Sequence, residues 1–385
     1  MPSTRRALAG CSISRSNYLA LYAYLIAVGV LVGNAHPTCL QNKLKNRQTI
    51  CCGKPYNHSM SRTMILIISL LLLSIASFVM ALTLGSYPLS FSAVWSAIFH
   101  HSSGIEYNIV MDLRAPRAYV AFISGGLLAL AGALMQVLLR NPLADPYILG
   151  VSGGASVAAL LAMSLGMSAA FISAGALLGA LCSMLLVFGL AHTHGSWHPT
   201  RLLLTGVILA AGWGAVINFI LSITPDQPLR GMLFWLMGDI SQAPANLSSL
   251  VVLIISLLIS FGLARQLNIL ARGDTQASAL GVNVKNLRIG LFLLASLLTA
   301  VAVMQVGSVG FIGLIVPHML RMIIGSDHRI LLPSCVLLGG SLLLIADTLA
   351  RTVIAPQQLP VGVITAFLGV PFFLFLLQRM ASKQA

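Results

Sequence analysis

Long apolar runs alternate with short polar breaks along this chain from residue 65 to residue 377. A helix that crosses a bilayer needs about 20 mostly apolar residues, whereas the strands of a membrane barrel would alternate apolar and polar positions. The pattern therefore predicts an all-α, polytopic membrane protein with about ten transmembrane helices per subunit. The predicted spans are residues 65–84, 118–139, 147–163, 169–191, 202–223, 250–264, 289–306, 309–324, 331–349 and 361–377.

Two apolar segments depart from a simple membrane span. Residues 147–163 carry Gly150, Gly153 and Gly154, which predicts a helix that is broken or packs closely against a neighbour. The segment LRGMLFWLMGD, within residues 225–239, is too short to cross the bilayer. We expect this segment to form a surface or re-entrant helix.

The longest polar and basic interruption is the stretch RQLNILARGDTQASALGVNVKNLR, residues 265–288. Its middle, residues 270–280, can form a short helix with a polar face, and Gly273 and Gly281 break that helix at both ends. Apolar runs long enough to cross a bilayer lie on both sides of the stretch. The sequence therefore predicts a segment that is held between two membrane spans and contacts a partner in the cytoplasm.

Composition agrees with a membrane protein, and charge orients it. Of the 385 residues, 58% are hydrophobic and 8% are charged, and the mean hydropathy is +0.94, more apolar surface than a soluble domain needs. The net charge of +14 does not indicate nucleic acid, because the cytoplasmic loops of membrane proteins are enriched in Lys and Arg. The predicted topology places only Arg114, Arg117, Arg230 and Arg351 outside, and it places ten basic residues inside: Arg140, Arg201, Arg265, Arg272, Lys285, Arg288, Arg321, Arg329, Arg379 and Lys383.

Residues 1–63 do not resemble the rest of the chain. Residues 17–33 are apolar but few, and they follow basic residues, so they could pass for a signal peptide. If they inserted with the N-terminus inside, the basic residues that follow would lie outside, against the usual charge distribution. We favour a dispensable extension, with the working start near Met60 or Met64 and a permease domain over residues 64–380.

The chain has few groups that could power transport or catalysis by themselves. It contains one Glu and seven Asp, too few for a buried proton or sodium relay; only Asp347 lies clearly within a predicted span, where Arg351 can pair with it one turn later. No phosphate-binding GxxxxGKS or GxxxxGKT loop occurs, and the six Cys form no CxxC metal motif. We therefore expect a chain that is not an enzyme, holds no metal, and relies on an ATPase in another chain.

Two other functions are open to the same residues. Gly150 to Gly154 reads GVSGG and matches the GxSxG pattern, so Ser152 with His318 could serve an intramembrane serine protease. The same GxSxG pattern also arises where small residues allow two helices to pack closely, with no catalytic role for the serine. The second alternative is a secondary transporter, which would need no nucleotide.

Three external arginines and two internal turns also have two interpretations each. Arg114, Arg117 and Arg351 could be anchors at the membrane interface, or they could form a cationic rim that docks an acidic partner. The turns that contain Asn141 with Leu143, and Thr200, could be plain connections. In a transporter they would lie where a cytoplasmic gate must be.

Several motifs together resemble one family. They are RAPRAYVAFISGGLLALAGALMQVLLRNPLADPYILGVSGGAS, RLLLTG, ALGV, GSVGFIGLIVPHMLRMIIGSDHRILLP, LLIADTLAR and LPVGVITAFLGVPFFLFLL, in this order from about residue 65 to residue 379. In these motifs the chain resembles the permease subunits of bacterial ABC importers for cobalamin, haem and ferric siderophores. Residues 1–63 have no counterpart in that family, and Pro199 stands where relatives often have a small polar residue.

The resemblance implies a fold, partners and site residues. Such permeases have ten helices with termini in the cytoplasm, and they form homodimers or fused pairs in the bacterial inner membrane. They work with a periplasmic binding protein and with two cytoplasmic ATPase subunits that bind ATP and Mg²⁺, while the permease itself binds no cofactor. The resemblance assigns docking of the binding protein to Arg114, Arg117 and Arg351, and the cytoplasmic gate to Asn141, Leu143 and Thr200. It assigns coupling to the ATPase to nine residues: Ala271, Arg272, Gly273, Asp274, Ala277, Ala279, Leu280, Gly281 and Val282.

Overall fold

Helices form nearly all of the described part of this chain. The structure is a computed structural model that describes residues 57–381, apart from 86, 100–103, 192–198, 242 and 244. Its first four helices are α1 (Asn57–Thr83), α2 (Phe91–Phe99), α3 (Ile105–Asn108) and α4 (Ala115–Leu138), with a π-helical turn, Ile109–Arg114, before α4. A 3₁₀ helix, Pro146–Leu149, leads into α5 (Val151–Ser164), which is followed by α6 (Ala169–Ala191), α7 (Pro199–Ile223) and α8 (Asp226–Leu236).

The second half of the chain repeats this pattern of long and short helices. It contains α9 (Leu247–Gly262), α10 (Ala264–Leu270), α11 (Asp274–Ala279), α12 (Val284–Val306), α13 (Ile312–Ile324), α14 (His328–Thr352) and α15 (Val361–Ala381). No strand occurs between Asn57 and Ala381 outside the gaps named above.

The predicted all-α, polytopic class is confirmed. Six helices are long and apolar enough to cross a bilayer, α9 and α10 form a seventh span bent by 61°, and α5, α13 and α15 are further apolar helices. These ten elements correspond to the ten predicted spans. The short helix expected within residues 225–239 is α8, which has 11 residues and is too short to cross.

Helix α4 lies at the centre of the bundle. Of its most apolar window, 94% is buried, and it packs against α9, α12, α13 and α14. Glycines allow these close approaches: a Cβ on Gly125 would overlap the carbonyl of Gly339 on α14, and one on Gly132 would overlap the carbonyl of Gly313 on α13. Without side chains between them, the helices pack through their backbones, as is common in membranes.

Besides the bent span α9–α10, two of the ten elements have an irregular start. Gly150 adopts a left-handed conformation with φ 70° between the 3₁₀ helix and α5, as the glycine-rich sequence predicted. The span predicted at residues 309–324 is shorter than expected, because Phe311 adopts φ 72° and α13 begins only at Ile312. With 13 residues, α13 would extend about 20 Å, less than the thickness of a bilayer core.

The predicted N-terminal extension, residues 1–63, falls mostly on residues 1–56, which lie outside the described residues. Helix α1 begins at Asn57, so the first membrane helix includes the last residues of that extension. The placement of the boundary at residue 64 stays a prediction.

We expect Gly132→Ala to destabilise the protein by about 1–3 kcal/mol or more, because the added methyl group has no space against the backbone of α13. The matched control is Gly290→Ala on α12, where nothing lies within 4 Å and the alanine should leave stability unchanged or slightly higher. Thermal unfolding of both variants in the same detergent measures the difference. Equal melting temperatures would contradict the proposed close packing.

Candidate coupling and gating site

Charged and polar side chains gather at the two ends of the helix bundle. We call the end that holds Arg140, Asp274 and Asp327 the inner end, and the end that holds Arg117 and Arg351 the outer end, following the charge distribution of the sequence. Helix α4 runs between them, from Arg117 in its first turn to Arg140 just after its last.

Two glycines delimit α11 at the inner end. Gly273, with φ 126°, precedes the helix, and Gly281, with φ 78°, follows it. The N–H of Gly281 donates to the carbonyl of Ser278 and the N–H of Val282 donates to the carbonyl of Ala277, both at 3.0 Å, which is the Schellman pattern of a helix C-terminus. The two predicted breaks are confirmed, although the helix begins at Asp274 rather than at residue 270, because α10 ends there.

The predicted coupling residues divide into an anchored side and an open side. Ala277 is fully buried and holds α11 against the bundle, while Leu280 is 67% exposed despite its apolar side chain. Gly273, Asp274 and Val282 are half-buried. The remaining predicted residues, Ala271, Arg272, Ala279 and Gly281, are exposed, as are their neighbours Thr275, Gln276 and Ser278.

Asp274 joins α11 to two other elements. Its Oδ1 lies 2.8 Å from Nη2 of Arg288 on α12, and its Oδ2 lies 3.7 Å from Nη2 of Arg140, in the turn after α4. The Arg288 side chain is only 10% exposed, so its pair with Asp274 fixes α11 on α12. The exposed pair with Arg140 is weaker, because water screens it.

A second clamp holds the preceding helix, α10, to the start of α14. The Asn268 amide donates to Oδ1 of Asp327 at 2.9 Å, and its oxygen accepts the backbone N–H of His328 at 3.0 Å. Burial alone would raise the pKa of Asp327, but the hydrogen bonds from Asn268 and from the N–H of Arg329, with the nearby positive charge, lower that pKa below its ordinary value. Asp327 therefore stays ionised at neutral pH and keeps its hydrogen bond to the Asn268 amide, which holds α10 against the start of α14.

The predicted gate residues lie on two elements of the inner end. Asn141 and Leu143 share the turn after α4, where Oδ1 of Asn141 accepts the N–H of Leu143 at 2.9 Å. Thr200 is exposed in the first turn of α7, and α7 packs against the 3₁₀ helix that follows this turn. The structure thus brings Asn141 and Leu143 together in one turn, and it places Thr200 on a separate helix that packs on the 3₁₀ helix after this turn.

The three outer arginines are part of a hydrogen-bonded network. Arg114 is buried and donates to the carbonyls of Leu82 at 2.6 Å and Thr83 at 3.0 Å, at the end of α1. The fully buried carboxylate of Asp347 pairs with Arg351 at 3.2 Å, as predicted, and also with Arg117 at 2.8 Å. The docking role of these arginines stays a prediction, and their burial shows that they also hold α1, α4 and α14 together.

Residues 64–379 match the model of the FecCD transport family. The chain belongs to the FecCD transport family. It is therefore a multi-span membrane permease of the ABC transport type.

Individual members of the FecCD family align over most of the chain. The hemin transport system permease protein HmuU of Yersinia pestis is 39% identical, covering 83% of this chain and 96% of its own. The Fe(3+) dicitrate transport system permease protein FecD of Escherichia coli is 38% identical, covering 78% and 94%. The vitamin B12 import system permease protein BtuC of Vibrio cholerae is 40% identical, covering 74% and 87%.

A solved structure shares this FecCD fold. It is described as a metal-chelate type ABC transporter in an inward-facing conformation. The TM-score is 0.72, the sequence identity is 30%, and the match covers 82% of this chain and 99% of that chain.

Close packing accounts for the GVSGG motif in this FecCD chain. A Cβ on Gly153 would collide with Trp213, and one on Gly154 would meet the backbone of Gly179 and the side chain of Ser183. Helix α5, which carries Ser152, packs on α6, α7 and α12, while α13, which carries His318, packs on α4, α14 and α15. These contacts favour the packing interpretation over a Ser–His pair.

Sequence reasoning did not predict the pairs of Asp274 with Arg140 and Arg288, or the hydrogen bonds of Asn268. Arg140 belongs to the turn that holds the predicted gate residues Asn141 and Leu143, and Asn268 belongs to the polar stretch. No spacing along the chain indicates that these side chains meet Asp274 and Asp327. Among the described residues, no three His, Cys, Asp or Glu side chains are close enough to hold a metal ion.

We expect Asp347→Asn to destabilise the protein by about 3–5 kcal/mol, because it leaves Arg117 and Arg351 without their buried anion. Thermal unfolding in detergent measures the loss. Asp112→Asn, at an exposed position of the π-helical turn, is the matched control and should have little effect. Similar melting temperatures for the two variants would show that Asp347 is not a structural ion-pair partner.

Asp145, in the inner turn, should make stability depend on pH. Its carboxylate accepts the N–H of Tyr147 at 2.8 Å, but burial outweighs that bond and raises the pKa of Asp145 to about 6. Since an unfolded Asp has a pKa of about 3.9, the folded state binds more protons between these values and loses stability as pH rises through the window.

We therefore expect Asp145→Asn, which keeps the accepting oxygen, to raise the melting temperature at neutral pH and to have no effect at about pH 4. Melting curves of both proteins across this range measure the difference. A difference that does not change with pH would contradict the raised pKa.

Proposed function

We propose that this chain is the membrane-spanning subunit of an ATP-driven importer that moves haem, a ferric siderophore or cobalamin across the bacterial inner membrane. Support comes from relatives named for hemin, ferric dicitrate and vitamin B12, and from a structural neighbour described as metal-chelate type. These three relatives are 38–40% identical to this chain, and the values lie too close together to indicate which cargo this chain carries.

The observation that carries this proposal is the exposed face of α11. Thr275, Gln276 and Ser278 point a polar surface away from the bundle, and Leu280 adds an exposed apolar side chain beside them. An apolar anchor surrounded by polar groups is typical of a protein interface. The partner in this proposal is a dimer of cytoplasmic ABC ATPases, which binds ATP and Mg²⁺ and hydrolyses ATP, while this chain performs no covalent chemistry.

A cleft beside α11 could take part in the same interface. It has a volume of about 730 Å³ and lies between α10 and the start of α12. Arg265, Asn283 and Asn286 line it together with Leu280. The open side of α11 and this cleft form one continuous inner surface on which an ATPase subunit can dock.

A second copy of the chain completes the proposed transporter. In α7 only 11% of the most apolar window is buried within one copy. Gly212 and Gly214 on this helix have open space around them, and small residues allow helices of two subunits to approach closely in a membrane. In the proposed homodimer, the pathway lies between the copies, and lipid covers the outer faces.

The outer end is the proposed docking surface for a periplasmic binding protein. Arg117 is 13% exposed and donates to Gln358 at 2.8 Å, so its charge can contribute to the potential at that surface. Arg114 and Arg351 are buried beneath it, and among the described residues Asp347 is the single anion that pairs with any of the three arginines, so this cluster keeps a net positive charge. Complementary charge on the binding protein would increase its association rate and set its orientation.

Transport in this scheme proceeds by alternating access. The loaded binding protein delivers cargo at the outer end, and ATP binding and hydrolysis move α11. The turns that hold Asn141, Leu143 and Thr200 then open or close the inner exit.

Reconstitution in proteoliposomes with the cognate ATPase and binding protein tests the function, with uptake of haem, ferric siderophore and cobalamin measured in parallel. We expect uptake of one cargo class only when ATP is inside. Leu280→Asp should weaken ATPase binding roughly 30-fold, corresponding to an interface anchor of about 2 kcal/mol. Leu165→Asp is the matched control, because Leu165 is 72% exposed and follows α5 at the outer end.

The alternatives predict different results in the same experiment. Uptake without nucleotide or ATPase would indicate a secondary transporter. Cleavage of a membrane substrate that disappears in Ser152→Ala would indicate a protease. Equal ATPase binding by the Leu280 and Leu165 variants would show that α11 is not the docking element.

A further inference from the structure

Arg140 occupies a backbone position that normally belongs to glycine. The N–H of Arg140 donates to the carbonyl of Val137 and the N–H of Asn141 donates to the carbonyl of Gln136, both at 3.2 Å. This is the Schellman pattern at the end of α4, and Arg140 is its left-handed residue, with φ 47°. The corresponding position after α11 is Gly281, which adopts this conformation at no steric cost.

A strained residue at such a position suggests that its side chain has a use. The guanidinium of Arg140 reaches α11, where Nη2 lies 3.7 Å from Oδ2 of Asp274. A Cβ on Gly273 would stand 3.7 Å from Nη1 of the same guanidinium, so this side chain lies directly over the start of α11. Glycine at position 140 would remove the steric strain of the left-handed backbone conformation, but it would also remove the side chain that contacts Asp274.

The two contacts of Asp274 are unequal. Arg288 is nearly buried and contacts both carboxylate oxygens, at 2.8 and 2.9 Å. Arg140 is 43% exposed and contacts one oxygen at a longer distance. A small displacement of α11 would therefore separate Asp274 from Arg140 before it separates Asp274 from Arg288.

We propose that the Arg140–Asp274 contact is a latch that transmits the movement of α11 to the exit turn. This inference rests on the proposed function, and it names Arg140 and Asp274 as positioning residues for the gate. Arg140 is bonded in sequence to Asn141, and the same turn leads through Leu143 and Asp145 into the 3₁₀ helix. When a partner displaces α11, the Arg140–Asp274 contact breaks, and the turn can then change its conformation and open or close the inner exit. When the contact forms again, the turn returns to its original conformation.

A simpler role for Arg140 is to complement the negative partial charge at the C-terminus of α4. The two roles predict different behaviour, because the helix end does not depend on Asp274. If Arg140 acts only on its own helix, the effects of changing Arg140 and Asp274 should add. If they form a latch, the double variant should be no worse than Asp274→Asn alone.

The test uses the complete complex in proteoliposomes and measures cargo imported per ATP hydrolysed. Arg140→Gly should lower this ratio about fivefold or more, at the lower end of typical coupling between sites, while the melting temperature stays equal or rises. Arg140→Lys, which keeps the charge, should retain most of the ratio. Arg140→Asn, which also tolerates the left-handed conformation, replaces the glycine variant if that one unfolds.

The outcomes distinguish the Arg140–Asp274 latch from a role of Arg140 at its own helix end, and both from a failure of the proposed transport function. A wild-type ratio in Arg140→Gly and Arg140→Asn, or additive effects with Asp274→Asn, would overturn the latch and leave the transport function intact. A lower ratio with normal folding and no further loss in the double variant would support it. A wild-type complex that imports no cargo on addition of ATP would reject the proposed function and the latch with it.

Discussion

A bilayer core offers no water to backbone groups, so any break in a membrane helix must be covered by protein. This constraint governs the irregular starts of α5 and α13. The N–H of Val309 donates to the Tyr147 hydroxyl at 3.2 Å, and the Gln136 amide donates to the carbonyl of Leu314 at 3.1 Å. These two bonds cover backbone groups at the start of α13. At the break before α5, the Ser183 hydroxyl donates to the carbonyl of Gly150 at 2.8 Å. Helix α4 supplies Gln136 to α13, and its Gly132 contacts Gly313 at the start of the same helix.

Three carboxylates in the described chain act as structural anchors. Asp347 binds two arginines at the outer end, Asp274 binds two at the inner end, and Asp327 binds the Asn268 amide. An ionised group that is held by fixed partners is poorly suited to pick up and release protons during transport. This arrangement agrees with a transporter whose energy is supplied by another subunit.

Helix α14 connects the two ends of the molecule. Its first residue, His328, contacts Asn268 of α10, and Arg351 in its last turn shares Asp347 with Arg117. Its 25 residues extend about 37 Å, roughly the full depth of the membrane. The helix packs on α4 through Gly339 and Gly340, where close backbone contact favours movement as one body. The inner and outer sites are therefore joined by a single continuous element.

Apolar run length alone determined the helical class and the ten membrane elements, because a span must reach across a fixed thickness of hydrocarbon. Glycines alone located both ends of α11, and the spacing of Asp347 and Arg351 predicted their pair. Only the tertiary structure decided that Arg117 shares Asp347, that Arg140 reaches Asp274, and that Phe311 delays the start of α13. These features depend on residues from separate helices or on one unusual φ angle, and no periodicity along the sequence records which helices become neighbours.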